Sequence, residues 1–135
     1  MIERSIEDHF FGNDSHFEGS VSIAERLVEN NRAPLRSALY EEQGVLHFRD
    51  HHAPAYRKLE LIQCGDASLT INFETGLPFI RLDLRLGESN KTHLCGRDTY
   101  EIASVARSSN VVVEQWRVSG PSKDYVALAV LTRVD

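Results

Sequence analysis

The sequence has no stretch in which lysine and arginine gather: its 15 basic and 20 acidic residues are interleaved and leave a net charge of -5. A surface that tracks phosphates needs a basic stripe, so nucleic acid is not an expected partner. No apolar run approaches the roughly 18 residues of a membrane span. The opening MIERSIEDHF also lacks the basic-then-apolar profile of a secretory signal. The expectation is a cytoplasmic protein with no membrane partner. Cysteine is scarce too. Cys64 and Cys95 are the only two, and without an export signal they are expected to be reduced, small and buried. Helical periodicity is rare: Ser22 to Asn30 comes closest, with Ser22 and Glu25 at capping-box spacing. That window is short and follows residues that alternate with period two, so a strand is expected there, with a short helix as the alternative. Neither a Walker pattern nor a strand–glycine–helix unit is present, which excludes a phosphate loop. There is no Gly-x-Ser-x-Gly, and neither Ser119 nor Ser122 has a lysine three residues on. No residue is assigned a catalytic role from motifs.

What the sequence does contain is alternation. Its 135 residues, 41% of them hydrophobic, suit a single domain over 1–135, long enough to bury about 65–70% of its unfolded surface without disulfides or a structural metal. Ile2–Asp8 reads as a first strand, followed by the turn-rich Gly12-Asn13-Asp14-Ser15. Phe17, Val21 and Ile23 then share one parity, with Gly19 between them as a bulge or a close backbone approach. Arg36–Glu42 and Val45–Arg49 flank Gln43-Gly44, which reads as a tight hairpin turn. Arg57–Gln63, Ser68–Phe73, Phe79–Leu86, Thr92–Cys95, Thr99–Arg107, Val111–Ser119 and Tyr125–Val134 continue the series. In Phe79–Leu86, Ile80, Leu82 and Leu84 oppose Arg81, Asp83 and Arg85. Asn30–Pro34 and Arg49–Pro54 are the longest irregular stretches, expected as rim or lid loops. About ten short strands joined by short turns predict an all-β fold, an antiparallel meander of 8–10 strands closed into a barrel.

Several clusters invite a chemical reading. His47, His51 and His52 with Asp50 are suitable metal ligands by type, but adjacent residues of an extended chain point to opposite faces. A solvated loop is the stronger reading, and no metal site is assigned. The same reasoning places Glu41 and Glu42 in solvent. His93 and Cys95 lie two apart on one strand face, with Asp98 and Tyr100 close behind. Two ligands do not hold zinc tightly, so a polar wall or a satisfied buried histidine is expected. Trp116, Tyr125, Tyr100, Tyr40 and Phe79 sit on different strands, where they pack the interior or line a cavity.

These strings together resemble a family catalogued as domain of unknown function 6314. Tyr40-Glu41-Glu42-Gln43-Gly44 looks like its Tyr-x-Glu-x-Gly hairpin. Phe73-Glu74-Thr75-Gly76-Leu77-Pro78-Phe79 resembles its Phe-x-Asp-Gly-x-x-Phe turn, with Thr75 in place of Asp. His93-Leu94-Cys95-Gly96-Arg97-Asp98-Thr99-Tyr100 is similar to its most distinctive string, and Trp116 through Tyr125 to its C-terminal signature. The resemblance implies a lipocalin-like (calycin) barrel and no particular activity. Relatives begin with a Gly-x-Trp strand just ahead of an Arg-x-Ile such as Arg4-Ser5-Ile6, so that strand is expected to be cut short here. Ile80 stands where relatives tend to carry histidine, which weakens any metal site pairing that position with His93.

The expected function is binding of a small, largely apolar molecule in the barrel interior, with no cofactor identified. The candidate ligand-binding residues are His93, Cys95, Asp98, Tyr100, Trp116, Tyr40 and Lys123; Arg4 and Lys123 are expected either to bring charge to a barrel mouth or, equally, to form structural ion pairs. An isomerase- or hydrolase-like barrel with His93 as base oriented by Asp98 is the alternative, and a homodimeric interaction module a third reading.

Overall fold

The computed structural model describes residues 1–9, 12–28 and 35–134, side chains of 26–28 and 35 excepted. Within them lie ten strands: β1 (Ile2–Asp8), β2 (Asn13–Val28), β3 (Leu35–Phe48), β4 (His51–Gln63), β5 (Ser68–Phe73), β6 (Pro78–Asp83), β7 (Glu88–Cys95), β8 (Asp98–Ser108), β9 (Val111–Ser119) and β10 (Asp124–Thr132). All are antiparallel and join one sheet in the order β6-β5-β4-β3-β2-β1-β10-β9-β8-β7. Neighbours in space are neighbours in sequence, except that the first and last strands pair from Ile2↔Leu131 to Asp8↔Tyr125. The result is a nearly closed meander barrel, all-β among the described residues as the alternation predicts.

Period-two burial explains most of it. Ile2, Phe17, Tyr40, Leu59, Ile71, Ile102, Val118 and Ala129 take inward positions and are buried; their sequence neighbours face out. Three local readings change. Gln43-Gly44 is not a turn: β3 runs straight through it. Gly44 instead sits opposite Gly19, and a Cβ on either would fall 2.1 Å from a backbone carbonyl oxygen across the strands. The pair permits the close approach that Gly19 suggested, with the Phe17 ring lying over Gly44. The hairpin is made by Arg49-Asp50, with Arg49 at φ 52. Residues 51–54 are therefore strand rather than loop, because β4 begins at His51. Likewise β2 starts at Asn13, where turn composition was read as a loop, and it stays a strand through Val28. The expected loop Asn30–Pro34 lies outside the described residues, apart from its neighbour Leu35.

A further change is a bulge. Ile71 faces Ile80 while Asn72 faces Pro78, so Phe79 is the extra residue on β6. Phe79 and Ile80 are consecutive yet both buried, which strict alternation forbids and a bulge allows.

The barrel is unlaced along one line. β6 and β7 lie side by side at the two ends of the sheet order and share no ladder. The turn between them is held by Gly87 N–H donating to Leu84 O at 2.9 Å, with Gly87 at φ 76. Among the described residues one longer hydrogen bond, Asp83 N–H to Ser89 Oγ at 3.4 Å, crosses the seam.

Candidate functional site

Two apolar clusters fill the barrel. The larger gathers Tyr40, Leu59, Ile71, Phe79, Ile80, Leu82 and Ile102; the smaller gathers Ile2, Phe17 and Ala129. A polar network links them. Arg4, in mid β1, grips Glu42 of β3 with both ends of its guanidinium, Nη1 to Oε1 at 2.6 Å and Nη2 to Oε2 at 3.1 Å. Arg57 of β4 donates Nη2 to Glu42 Oε2 at 3.1 Å, and the Tyr40 hydroxyl donates to the same oxygen at 2.9 Å. Glu42 is only 3% exposed. The expectation that Glu41 and Glu42 both lie in solvent is therefore wrong for Glu42: the two do point to opposite faces, and Glu42 points inward. Arg4 is likewise not at a mouth but in the middle of its strand, against this carboxylate.

Burial alone would raise the Glu42 pKa, but the Arg4 hydrogen bonds and the Arg57 charge outweigh it and hold the carboxyl below its ordinary range. Burial would lower the Arg4 pKa, and Glu42 reverses that as well. Tyr40 is pushed up by burial and by the Glu42 charge beside it, so it stays a neutral donor. Arg4 also lies over the Phe17 ring at 5.5 Å, and Arg57 over the Trp116 ring at 5.2 Å.

Beside Arg57 a cavity of about 220 Å³ opens toward the unlaced seam. Leu59 and Phe73 face one another across β4 and β5 on one wall. Phe79, bulged inward from β6, contributes the seam side, and His93 and Cys95 of β7 the opposite edge of the seam. Tyr100 and Trp116 of β8 and β9 complete it. The rings meet edge-on: Phe79 to His93 at 5.1 Å and 86°, Phe79 to Tyr100 at 6.3 Å and 89°, Tyr100 to Trp116 at 6.5 Å and 85°. Phe73 stacks on Phe79 at 4.7 Å. The Trp116 indole donates to Glu114, which joins the polar network through its charge on Arg4 and Tyr40.

At the rim, Lys123 donates from Nζ to the Tyr100 hydroxyl at 3.0 Å and lies 3.2 Å from Asp98 Oδ2. Those two partners raise its pKa and keep it cationic. Gly120 has no Cβ to displace Asp98, whose Oδ1 would lie 2.0 Å from one. Asp98 thus serves Lys123, and among the described residues it makes no hydrogen bond to His93.

Of the residues singled out from sequence, His93, Cys95, Tyr100 and Trp116 share the cavity, Asp98 and Lys123 hold its rim, and Tyr40 belongs to the ionic network. Arg57, Phe73 and Glu114 are not singled out by the sequence, and Glu42 reads there as solvated. The signal for the charged ones was a charge at an inward parity position, as with Arg57 two residues before Leu59. Both cysteines were expected to be buried, yet both are free and exposed, since each sits at a strand's end against a turn opened by Gly65 or Gly96. On the outer face, His16, His47 and His52 form a row across β2, β3 and β4 with ring centres 6.2 and 6.1 Å apart. His51 and His52 lie exposed on β4, solvated but not in the loop expected. No group of three candidate ligands among the described residues is placed to hold a metal ion. No helix among them is long and apolar enough to cross a membrane.

Comparison with curated proteins and with solved structures returns no match. A family model does match, over residues 1–133. The chain belongs to that family, described as a family of unknown function (DUF6314).

Proposed function

We propose that this protein binds one small, largely apolar, planar molecule inside a lipocalin-like barrel, in the cavity beneath the β6–β7 seam. The observation that carries the reading is the convergence of Phe79, His93, Tyr100 and Trp116, from four strands, around a space of about 220 Å³. Phe79 stands near 90° to His93 and Tyr100, and Tyr100 near 90° to Trp116, while Phe79–Trp116 and His93–Tyr100 are tilted at 48° and 56°; rings so inclined form adjacent walls rather than a parallel stack. The volume lies below the roughly 300–1,000 Å³ of pockets that enclose drug-sized ligands, which favours a single ring over a chain or a macrocycle. Access needs no broken ladder: Phe79 and His93 flank a seam where no strand pairing has to open. The Lys123–Tyr100–Asp98 cluster fixes the Tyr100 ring at the rim. Cys95 adds a thiol at the same edge.

Native mass spectrometry after gentle purification tests this, alongside titration of the apo chain with benzyl alcohol. Trp116 is the chain's one tryptophan, so its fluorescence reports the cavity alone. A retained small molecule, or a saturable fluorescence change that Phe79→Ala shifts, supports the reading. An empty chain that shows no saturable response overturns it.

A further inference from the structure

The charges around the cavity are unequally shared. Glu42 is gripped bidentately by Arg4, which lies on the side away from the cavity, toward Phe17. Glu114 exerts its charge on Arg4 and Tyr40. Arg57 has only one hydrogen bond to that system, through Nη2. It lies against the Trp116 face and lines the cavity. Its Nε is buried and has no hydrogen-bond partner among the described residues. An arginine carries five donors and never loses its charge. The side chain is 32% exposed, so the guanidinium keeps donors other than the enclosed Nε that can meet an acceptor in the cavity.

We infer that the occupant of the cavity is an aromatic anion, a single ring bearing a carboxylate that meets Arg57 while the ring lies among Phe79, His93, Tyr100 and Trp116. This rests on the binding reading above and adds the sign of the ligand's charge. No displacement of Glu42 is required, because Arg4 already neutralises it and Arg57 retains its Nη2 bond. The rim agrees in sign: Lys123 stands beside Tyr100 at the cavity's outer end. His93, the remaining polar ring on the wall, can donate from a ring nitrogen in either tautomer. No carboxylate is among the residues lining the cavity.

The experiment compares three probes of similar shape on the wild-type chain: benzoate, benzyl alcohol and benzylamine, each followed by Trp116 fluorescence and confirmed by calorimetry. The expected result is benzoate binding about ten- to a hundredfold tighter than benzyl alcohol, the range of one charge-assisted hydrogen bond, with benzylamine weakest. Arg57→Gln should abolish the preference, bringing the ratio of benzoate to benzyl alcohol affinity to about one. Arg57→Lys, which keeps the charge and serves if the glutamine variant does not fold, should retain part of the preference. Equal binding of benzoate and benzyl alcohol, or tightest binding of benzylamine, overturns the anion assignment and leaves the cavity reading intact. Undiminished benzoate preference in a folded Arg57→Gln chain also overturns it. Failure of all three probes on the wild type overturns both.

Discussion

Replacing Glu42 with leucine removes the one carboxylate that two arginines and a tyrosine share. At 3% exposure it has almost no water to compensate for the loss. Arg4 and Arg57 would remain, 15% and 32% exposed, without the counter-charge that each now contacts at 2.6 and 3.1 Å. Breaking a buried pair from one side costs about 3–5 kcal/mol, most of it the uncompensated charge left behind. Arg57 is exposed enough for solvent to soften its share, which favours the lower end of that range. For a chain of this length such a loss lowers Tm by about 10–15 °C. Far-ultraviolet circular dichroism during heating, with urea denaturation for the free energy, measures it. The triple replacement Arg4→Met, Glu42→Leu, Arg57→Met should recover part of the stability, because it removes the stranded arginines and leaves charged only the half-buried Glu114, which keeps the Trp116 indole as donor. A single variant that loses less than about 1 kcal/mol, or a triple variant no better than the single, would refute the claim that these charges depend on one another.

Other consequences follow from the same geometry. Because the Glu42 pKa is lowered on folding from its ordinary 4.5, its contribution is present above that pH and fades as pH falls through the lower folded value. The Tm gap between wild type and Glu42→Gln should therefore be widest above about pH 5 and narrow as the pH falls below it; a constant gap contradicts it. Gly44→Ala should destabilise by at least about 3 kcal/mol, since its Cβ would meet the Glu18 carbonyl oxygen at 2.1 Å; urea titration showing a loss under 1 kcal/mol contradicts the close strand approach. Ser104, 1% exposed with a hydroxyl that has no partner among the described residues, should tolerate alanine or gain about 1 kcal/mol from it; a clear loss of Tm would mean that the hydroxyl is engaged. Lys123→Met should change stability by no more than about 1 kcal/mol, as expected of an exposed pair, checked by the same melts.

How far the sequence announced this structure depends on what kind of interaction set each feature. Strands β1, β5 and β9 are legible to the residue, because side-chain parity is local and their turns carry glycine, asparagine or aspartate. Gly44 misleads because a turn and a close cross-strand approach demand the same missing Cβ, and only Gly19 on the partner strand distinguishes them. The true hairpin residue, Arg49, adopts positive φ without being glycine, so it left no compositional trace. Phe79 reads as an interior aromatic by residue type while parity assigns it to the face opposite Ile80, and only the bulge reconciles the two. The pairing of His93 with Tyr100, and of Tyr100 with Val118 beside Trp116, needs the ladder registers. The Arg4–Glu42–Arg57 group joins positions 38 and 15 residues apart. Each charge, taken singly, reads as an ordinary surface residue.

The account turns on Trp116 facing an occupiable space inside the barrel. A nitrogen-15 correlation spectrum of this chain contains one indole N–H signal, and adding benzoate to it asks the question directly. The account predicts that this signal, with the amides of Phe79, His93 and Tyr100, shifts saturably while those of the outward row His16, His47 and His52 stay still. An unmoved indole signal at saturating benzoate, or shifts confined to the outer row, would contradict it.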